Sequence, residues 1–327
     1  MTQPLFLTHD LKTLEPLLVE LLRTPNAATN QVIEHVFSAG GKRLRPSLFL
    51  QMCALGDYRG EHKFSIACVC EYIHTASLMH DDVIDNSSLR RGKPTSNSIW
   101  GDQTAVLAGD LIYSAACRLM VKTKHLELID TFAECIRFMS ESELFQLDLL
   151  WKSDVTLEQY SRLVHGKTAA LFAASCKTAL FLFSQHPEAI QAAEAFGHHL
   201  GVAFQAVDDA LDYSQTEATV GKPVASDIIQ GKITLPVLMA MEHQQSHSKL
   251  LPLIQELFTT GEAGPDLQSQ LKEQVISLGG LDKSLLYAKQ HIDKALENLE
   301  TLVRIYPHTE CETYLRKLAI SSLERTH

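Results

Sequence analysis

His74-Thr75-Ala76-Ser77-Leu78-Met79-His80-Asp81-Asp82-Val83-Ile84-Asp85 is the stretch from which the rest of this chain can be understood. Counted back to Cys70, the residues Cys70, His74, Ser77, Asp81 and Asp85 recur at three- and four-residue spacing and form one helical stripe. Asp81 and Asp85 therefore lie one turn apart on the same face. A second Asp-Asp-x-x-Asp, Asp208-Asp209-Ala210-Leu211-Asp212, sits in another segment of helical periodicity. Like charges about 6 Å apart repel by roughly 3 kcal/mol at an effective dielectric of about 20. A hard divalent cation removes that penalty, and carboxylates with water are the ligands Mg²⁺ prefers. A basic loop containing Gly-Lys-Pro follows each copy, at Gly92 to Pro94 and at Gly221 to Pro223. Cations beside metal-binding carboxylates point to a phosphorylated substrate bridging the metals.

The 327 residues are 45% hydrophobic and 21% charged, ordinary for a globular protein with a large core. A formal net charge of -10 argues against non-specific nucleic-acid binding, so an anionic substrate must be held by local basic clusters. The seven cysteines lie in apolar helical contexts without zinc spacing, and reduced thiols in a cytoplasm are expected. No secretory signal is evident at Met1, and no uninterrupted apolar stretch reaches the length of a membrane-spanning helix.

Helical periodicity dominates throughout, with no convincing strand runs. Turn signals at Thr24-Pro25-Asn26, Gly56 to Gly60, Asn86 to Asn97, His186-Pro187, Thr219 to Lys222, Thr259 to Pro265, Gly279-Gly280 and Pro307 separate segments of helical length. No flexible linker is evident, so an all-α fold in one domain over residues 1–327 is expected. Gly197, Gly201, Gln205, Asp208 and Asp212 share one face of their helix. Small residues thus lie below each aspartate pair. They either leave a channel running away from the metals or let helices pack closely. A third apolar stripe, Ile129, Phe132, Ile136, Met139, is interrupted by Glu143 and Gln146.

Gly40-Gly41-Lys42-Arg43-Leu44-Arg45-Pro46 and Arg90-Arg91-Gly92-Lys93 are basic clusters near the first motif, and Lys222 and Lys232 follow the second. Arginine can grip phosphate with two parallel hydrogen bonds. Gly166-Lys167-Thr168 is not a P-loop, because Ser161 stands where that loop needs glycine. His74 alone could be a satisfied buried histidine. Without an activated nucleophile, the chemistry must be metal-assisted ionisation or electrostatic stabilisation.

At Gly40 to Pro46, His74 to Asn97, Gly166 to Thr168, Phe204 to Tyr213 and Gly231-Lys232-Ile233-Thr234-Leu235-Pro236, the chain resembles the trans-isoprenyl (polyprenyl) diphosphate synthases, most closely the bacterial octaprenyl type. The resemblance implies an all-α bundle of about a dozen helices around a central cavity, the isoprenoid synthase type I fold. It implies Asp81, Asp85 and Asp208 as inner ligands for three Mg²⁺, with Asp82, Asp209 and Asp212 supporting them. By the same token Lys42, Arg45, His74 and Arg91 hold the diphosphate of isopentenyl diphosphate, and Arg43 counts among the substrate-binding cations. Arg90, Lys167, Thr168, Gln205, Lys222 and Lys232 hold the allylic diphosphate, Lys167, Lys222 and Lys232 sharing the catalytic role with the six aspartates. Two departures are visible: Ser142 between Glu141 and Glu143, and Ala225 before Ser226-Asp227, both where glycine is common.

In the family, bulky aromatics four or five residues before the first motif block the channel and shorten the product. Ala76 and Ser77 stand there, which implies a long product in the octaprenyl range, with Phe132, Ile136 and Met139 as the floor. Release of such a product at a membrane surface is compatible with this reading. A homodimer is implied, through the hydrophobic helices between Gly92 and Trp151. A terpene cyclase, a shorter-chain synthase and a non-catalytic partner subunit are the competing readings. The six aspartates argue against the last.

Overall fold

In the computed structural model, which describes residues 4–214, 225–242 and 249–324, helices begin and end where local chemistry dictates. After α1 (Leu5–Glu20), Asn26 accepts from the backbone N–H groups of Ala28 and Thr29 at 2.9 and 3.3 Å and starts α2 (Ala27–Ser38). Then come α3 (Leu44–Leu55) and α4 (Lys63–Ile84), followed by α5 (Ser96–Trp100), α6 (Asp102–Thr123) and α7 (Leu126–Leu149). Thr156 caps α8 (Leu157–Val164) in a reciprocal box with Gln159. A π-helical turn, His165–Ala169, leads into α9 (Ala170–Phe181). Pro187 opens α10 (Pro187–Ser214). The remaining described helices are α11 (Ser226–Ile229), α12 (Leu235–Met241), α13 (Leu250–Thr260), α14 (Pro265–Ser277), α15 (Gly280–Ile305) and α16 (Thr309–Ser321).

One element escaped the periodicity. Leu89–Arg90 and Lys93–Pro94 pair as two short antiparallel strands. Arg91 and Gly92 between them have φ of 51° and 75°, the left-handed conformations that a two-residue hairpin turn demands. Two residues per strand are too few to show alternation.

The chain divides into two compact units. The first comprises Met1–Ile136, Ala174–Glu194 and Thr301–Leu315. Its central helix is α4, buried nearly all round through Ile66, Val69, Tyr72, Ile73 and Ala76, and packed against α1, α3 and α6. Helix α6 is the one described helix long and apolar enough, by length and composition, to cross a membrane, although only 39% of that window is buried. It exposes Leu107 and Val121, 67% and 61% accessible.

The second unit comprises Arg137–Ala173, Ala195–Glu300 and Arg316–His327. Here the glycines of α10 do not border open space. A Cβ on Gly197 would lie 2.5 Å from the Phe172 carbonyl oxygen, and one on Gly201 2.6 Å from Ala169 Cα. Of the two readings of that face, close helix packing is the one realised. Gly166 is pressed in the same way against Phe138 and Ser142, so the serine at a common glycine position fits only because Gly166 has no side chain.

Candidate active site

In the first unit, α4 runs out at the aspartates, Asp85 being its terminal cap residue. Asp82 is buried, and its Oδ1 accepts from Arg90 Nε at 2.9 Å. Asp81 is half-buried and Asp85 exposed. Arg90 is presented by the hairpin, which is tied down at three points. Lys93 Nζ donates to the Ser38 carbonyl at 2.7 Å, Arg91 Nη1 to the Gly40 carbonyl, and His35 Nε2 meets the Pro94 carbonyl at 2.9 Å. The result is a cleft lined by Gly40, Glu71, His74, Asp82, Arg90 and Arg91, among others.

Burial and then the surrounding arginines, Arg45 first, push the His74 pKa well below its ordinary value, so the ring is neutral. The Arg45 guanidinium is pushed down to about 10, mainly by burial, and stays charged. Lys42 is exposed. Arg43, also expected among the substrate-binding cations, lines the same cleft. It is buried, with Nη1 on Glu71 Oε1 at 2.6 Å and Nε on Glu15 Oε1 at 2.9 Å. Its backbone is left-handed, φ 46°, a conformation that costs about 1–2 kcal/mol and persists because the side chain is clamped.

In the second unit the π-helical turn presents Lys167 and Thr168. Such turns interrupt the regular hydrogen-bond ladder and recur at functional sites. Lys167 Nζ lies 3.1 Å from Glu143 Oε1 and donates to Gln146 Oε1 at 3.2 Å, which explains the polar break in the α7 stripe. Thr168 Oγ1 donates to Gln205 Oε1 at 2.6 Å, and Gln205 Nε2 to Asp209 Oδ1 at 2.8 Å. Asp208 is exposed, whereas Asp209 is buried. Burial lifts the Asp209 pKa to about 6 against the hydrogen bonds from Gln205 and Tyr160.

Asp212 is tied to the segment after the second motif. Its Oδ1 accepts from Ser226 Oγ at 2.8 Å and its Oδ2 from the Asp227 N–H at 3.1 Å. Ala225 holds φ 57°, so the missing glycine leaves a strained alanine. Asp227 is lifted to about 7, first by burial and then by Asp209 and Asp212. Lys167, Gln205, Asp209, Asp227 and Lys232 line one pocket of this unit, with Tyr160 in its wall. Lys232 is half-buried there. Thr219 to Pro223, and with them Lys222, lie outside the described residues.

Of the expected floor, Phe132 and Met139 are buried and Ile136 half-buried. Ala76 has no accessible surface, while Ser77 keeps some and donates to the His74 carbonyl at 2.8 Å. Two residues escaped sequence reasoning, Glu71 and Tyr160, and Asp227 was noted only beside Ala225, without a role. Only Glu71 left a signal, as a lone carboxylate inside the apolar run from Ala67 to Ile73.

Both motifs stand at the carboxyl ends of long helices, where the dipole favours cations. Among the described residues no three His, Cys, Asp or Glu side chains group closely enough to cage an ion by themselves. Carboxylate oxygens such as those of Asp81, Asp85 and Asp208 are the hard donors that Mg²⁺ takes, one or two at a time and completed by water and phosphate.

A polyprenyl synthetase family model matches residues 26–269. The octaprenyl diphosphate synthase of Escherichia coli is 34% identical over 317 residues, 97% of this chain and 96% of that protein. An all-trans-nonaprenyl-diphosphate synthase (geranyl-diphosphate specific) of Rhodobacter capsulatus is 36% identical over 299 residues, 90% of this chain and 89% of that protein. Among solved structures, a polyprenyl synthase from Caulobacter crescentus complexed with calcium and isoprenyl diphosphate superposes with a TM-score of 0.88 at 31% identity, over 98% of this chain and 96% of that one. With the aspartate pairs, the basic cradles and the all-helical fold in place, the chain belongs to the polyprenyl synthetase family.

Proposed function

We propose that the protein is a Mg²⁺-dependent trans-prenyltransferase that adds isopentenyl diphosphate units to an allylic diphosphate, farnesyl diphosphate being the expected primer, and makes a long all-trans product in the octaprenyl range. One observation carries the reading. Each motif buries and hydrogen-bonds its middle aspartate, Asp82 or Asp209, and leaves Asp85 or Asp208 open to solvent.

Asp81 and Asp85 in the first unit and Asp208 in the second would hold Mg²⁺, which when bound stabilises the charge of the departing diphosphate. The calcium in the similar Caulobacter structure supports a divalent ion. Lys42, Arg45, His74 and Arg91 bind the diphosphate of isopentenyl diphosphate, and neutral His74 does so as a hydrogen-bond partner. Lys167, Thr168, Gln205 and Lys232 bind the allylic diphosphate, with Lys167 exchanging its contacts with Glu143 and Gln146 for phosphate oxygens. The allylic C–O bond breaks, and the bonding pair leaves with diphosphate. The isopentenyl double bond attacks the allylic cation, and the released diphosphate takes the proton lost from the new chain. Apolar side chains keep water from the cation.

The test is diphosphate release from purified protein given Mg²⁺, farnesyl diphosphate and isopentenyl diphosphate, with the dephosphorylated products sized by chromatography. Activity must disappear on chelation and return with Mg²⁺. Asp81→Asn and Asp208→Asn must each lower kcat/KM by roughly a hundredfold or more. A protein silent alone is a partner subunit, and one that consumes the allylic diphosphate without the isopentenyl substrate is a cyclase.

A further inference from the structure

Arg43, Arg45, Arg90 and Arg91 act together on His74 in the first unit. Two buried carboxylates stand among them: Asp82, whose Oδ1 is taken by Arg90, and Glu71, 4% exposed. Glu71 lies on α4 one turn before His74, on the same face. Its Oε1 accepts from Arg43 Nη1 at 2.6 Å, with both side chains 6% exposed. Its charge also acts on Arg45 and Arg91. The other Arg43 donors reach Glu15 on α1, at 2.9 and 3.2 Å, and the Phe37 carbonyl at the end of α2, at 3.3 Å. The guanidinium is thus fastened to three helices while its own backbone, left-handed at φ 46°, starts a fourth, α3. Lys42 and Arg45, the cations assigned to the substrate, flank it in the chain. Where Arg43 is fastened sets where they point.

We propose that Glu71 is the positioning residue of the isopentenyl diphosphate cradle. It fastens Arg43 so that Lys42 and Arg45 are pre-aimed, and its charge lets Arg45 and Arg91 stay close together before the diphosphate arrives. Glu15 backs the same guanidinium from outside. This role rests on the prenyl-transfer reading. It differs from that reading in placing a carboxylate, and a cation already held by two carboxylates, at the centre of an anion site. Pre-aimed donors lose less freedom on binding, so the effect falls on the affinity for one substrate.

Initial rates with isopentenyl and farnesyl diphosphate varied separately test it. Wild-type turnover is read first, since its absence would sink the prenyl-transfer reading itself. Glu71→Gln keeps the shape and removes the charge. It is expected to raise KM for isopentenyl diphosphate roughly tenfold or more, with kcat and KM for farnesyl diphosphate within about threefold of wild type. Should that variant fail to fold, as a thermal melt would show, Glu15→Gln decides. Glu15 is half-exposed, so its neutralisation strands no buried charge, and it is expected to raise the same KM by a smaller factor. An unchanged KM for isopentenyl diphosphate in the folded variants overturns the proposal, and so does a parallel shift of both KM values and kcat.

Discussion

Tyr160 donates its hydroxyl to Asp209 Oδ2 at 2.7 Å, and both groups are buried in the second unit. That bond opposes the burial that lifts Asp209 to about 6. Tyr160→Phe leaves the carboxylate with one donor fewer, which costs about 1–3 kcal/mol for a buried acceptor. The urea midpoint is expected to fall accordingly. The acid limb of the pH–rate profile should move to higher pH, because Asp209 then protonates more readily. An unaltered profile and midpoint would show that the bond contributes nothing.

Ser77 is the better lever on product length than Ala76. Ala76 has no accessible surface, so Ala76→Phe overpacks α4 and is expected to destabilise the protein by about 1–3 kcal/mol. Ser77 keeps accessible surface one turn below Asp81. Ser77→Phe is expected to give a stable enzyme with shorter prenyl products, sized as alcohols after dephosphorylation. Unchanged chain lengths would remove Ser77 from the channel wall.

Ala225 occupies a backbone conformation that glycine adopts without penalty, φ 57°. Ala225→Gly is expected to stabilise the protein by about 1 kcal/mol, read as a higher urea midpoint at constant slope. No gain would mean that the backbone N–H of residue 225 on the Asp212 carbonyl, 2.9 Å, already sets the local geometry at no cost.

His165, His198, His199 and His291 form a line in the second unit. The Nδ1 atoms of His165 and His198 lie 3.4 Å apart, and those of His199 and His291 3.1 Å. Burial and then the neighbouring histidines push His198 down to about 4. His291 falls to about 4 through burial and then through His199 and Lys294. The unfolded chain therefore binds protons between about pH 6.5 and about pH 4 that the folded one refuses, so stability falls as pH is lowered through that window. The melting temperature is expected to drop from about pH 7 to about pH 5, and His198→Asn should flatten the drop. Equal slopes in the two proteins would contradict this.

Leu107 and Val121 stand exposed on α6, whose apolar window is only 39% buried. A second copy of the chain is the cover that the family resemblance implies. Leu107→Glu is expected to shift the protein from dimer to monomer by light scattering, while its helical circular dichroism is kept. A wild-type monomer would refute the pairing.

Much of the fold was legible because its punctuation is local. Asn26 and Pro187 mark helix starts as capping chemistry requires. The chain turns equally at Lys124 and Trp151, with φ of 58° and 61°, but nothing in those side chains announces a left-handed residue. The aspartate pairs were legible for the same reason, since one-turn spacing puts like charges together. Arg43 was not. In sequence it is a cation between two others, and its ion pairs reach Glu15 and Glu71, each 28 positions away. The α10 glycines left two readings open because the helix that presses on them lies elsewhere in the chain.

The π-helical turn at His165–Ala169 carries a constraint of another kind. It holds an extra residue within one turn, and loss of one residue there would restore regular winding, leaving α9 in register but changing which way the residues of the turn itself face. Lys167 and Thr168 would then turn away from Glu143, Gln146 and Gln205 even if both were kept. The length of this segment, and not only its composition, is what variation in such chains has to respect.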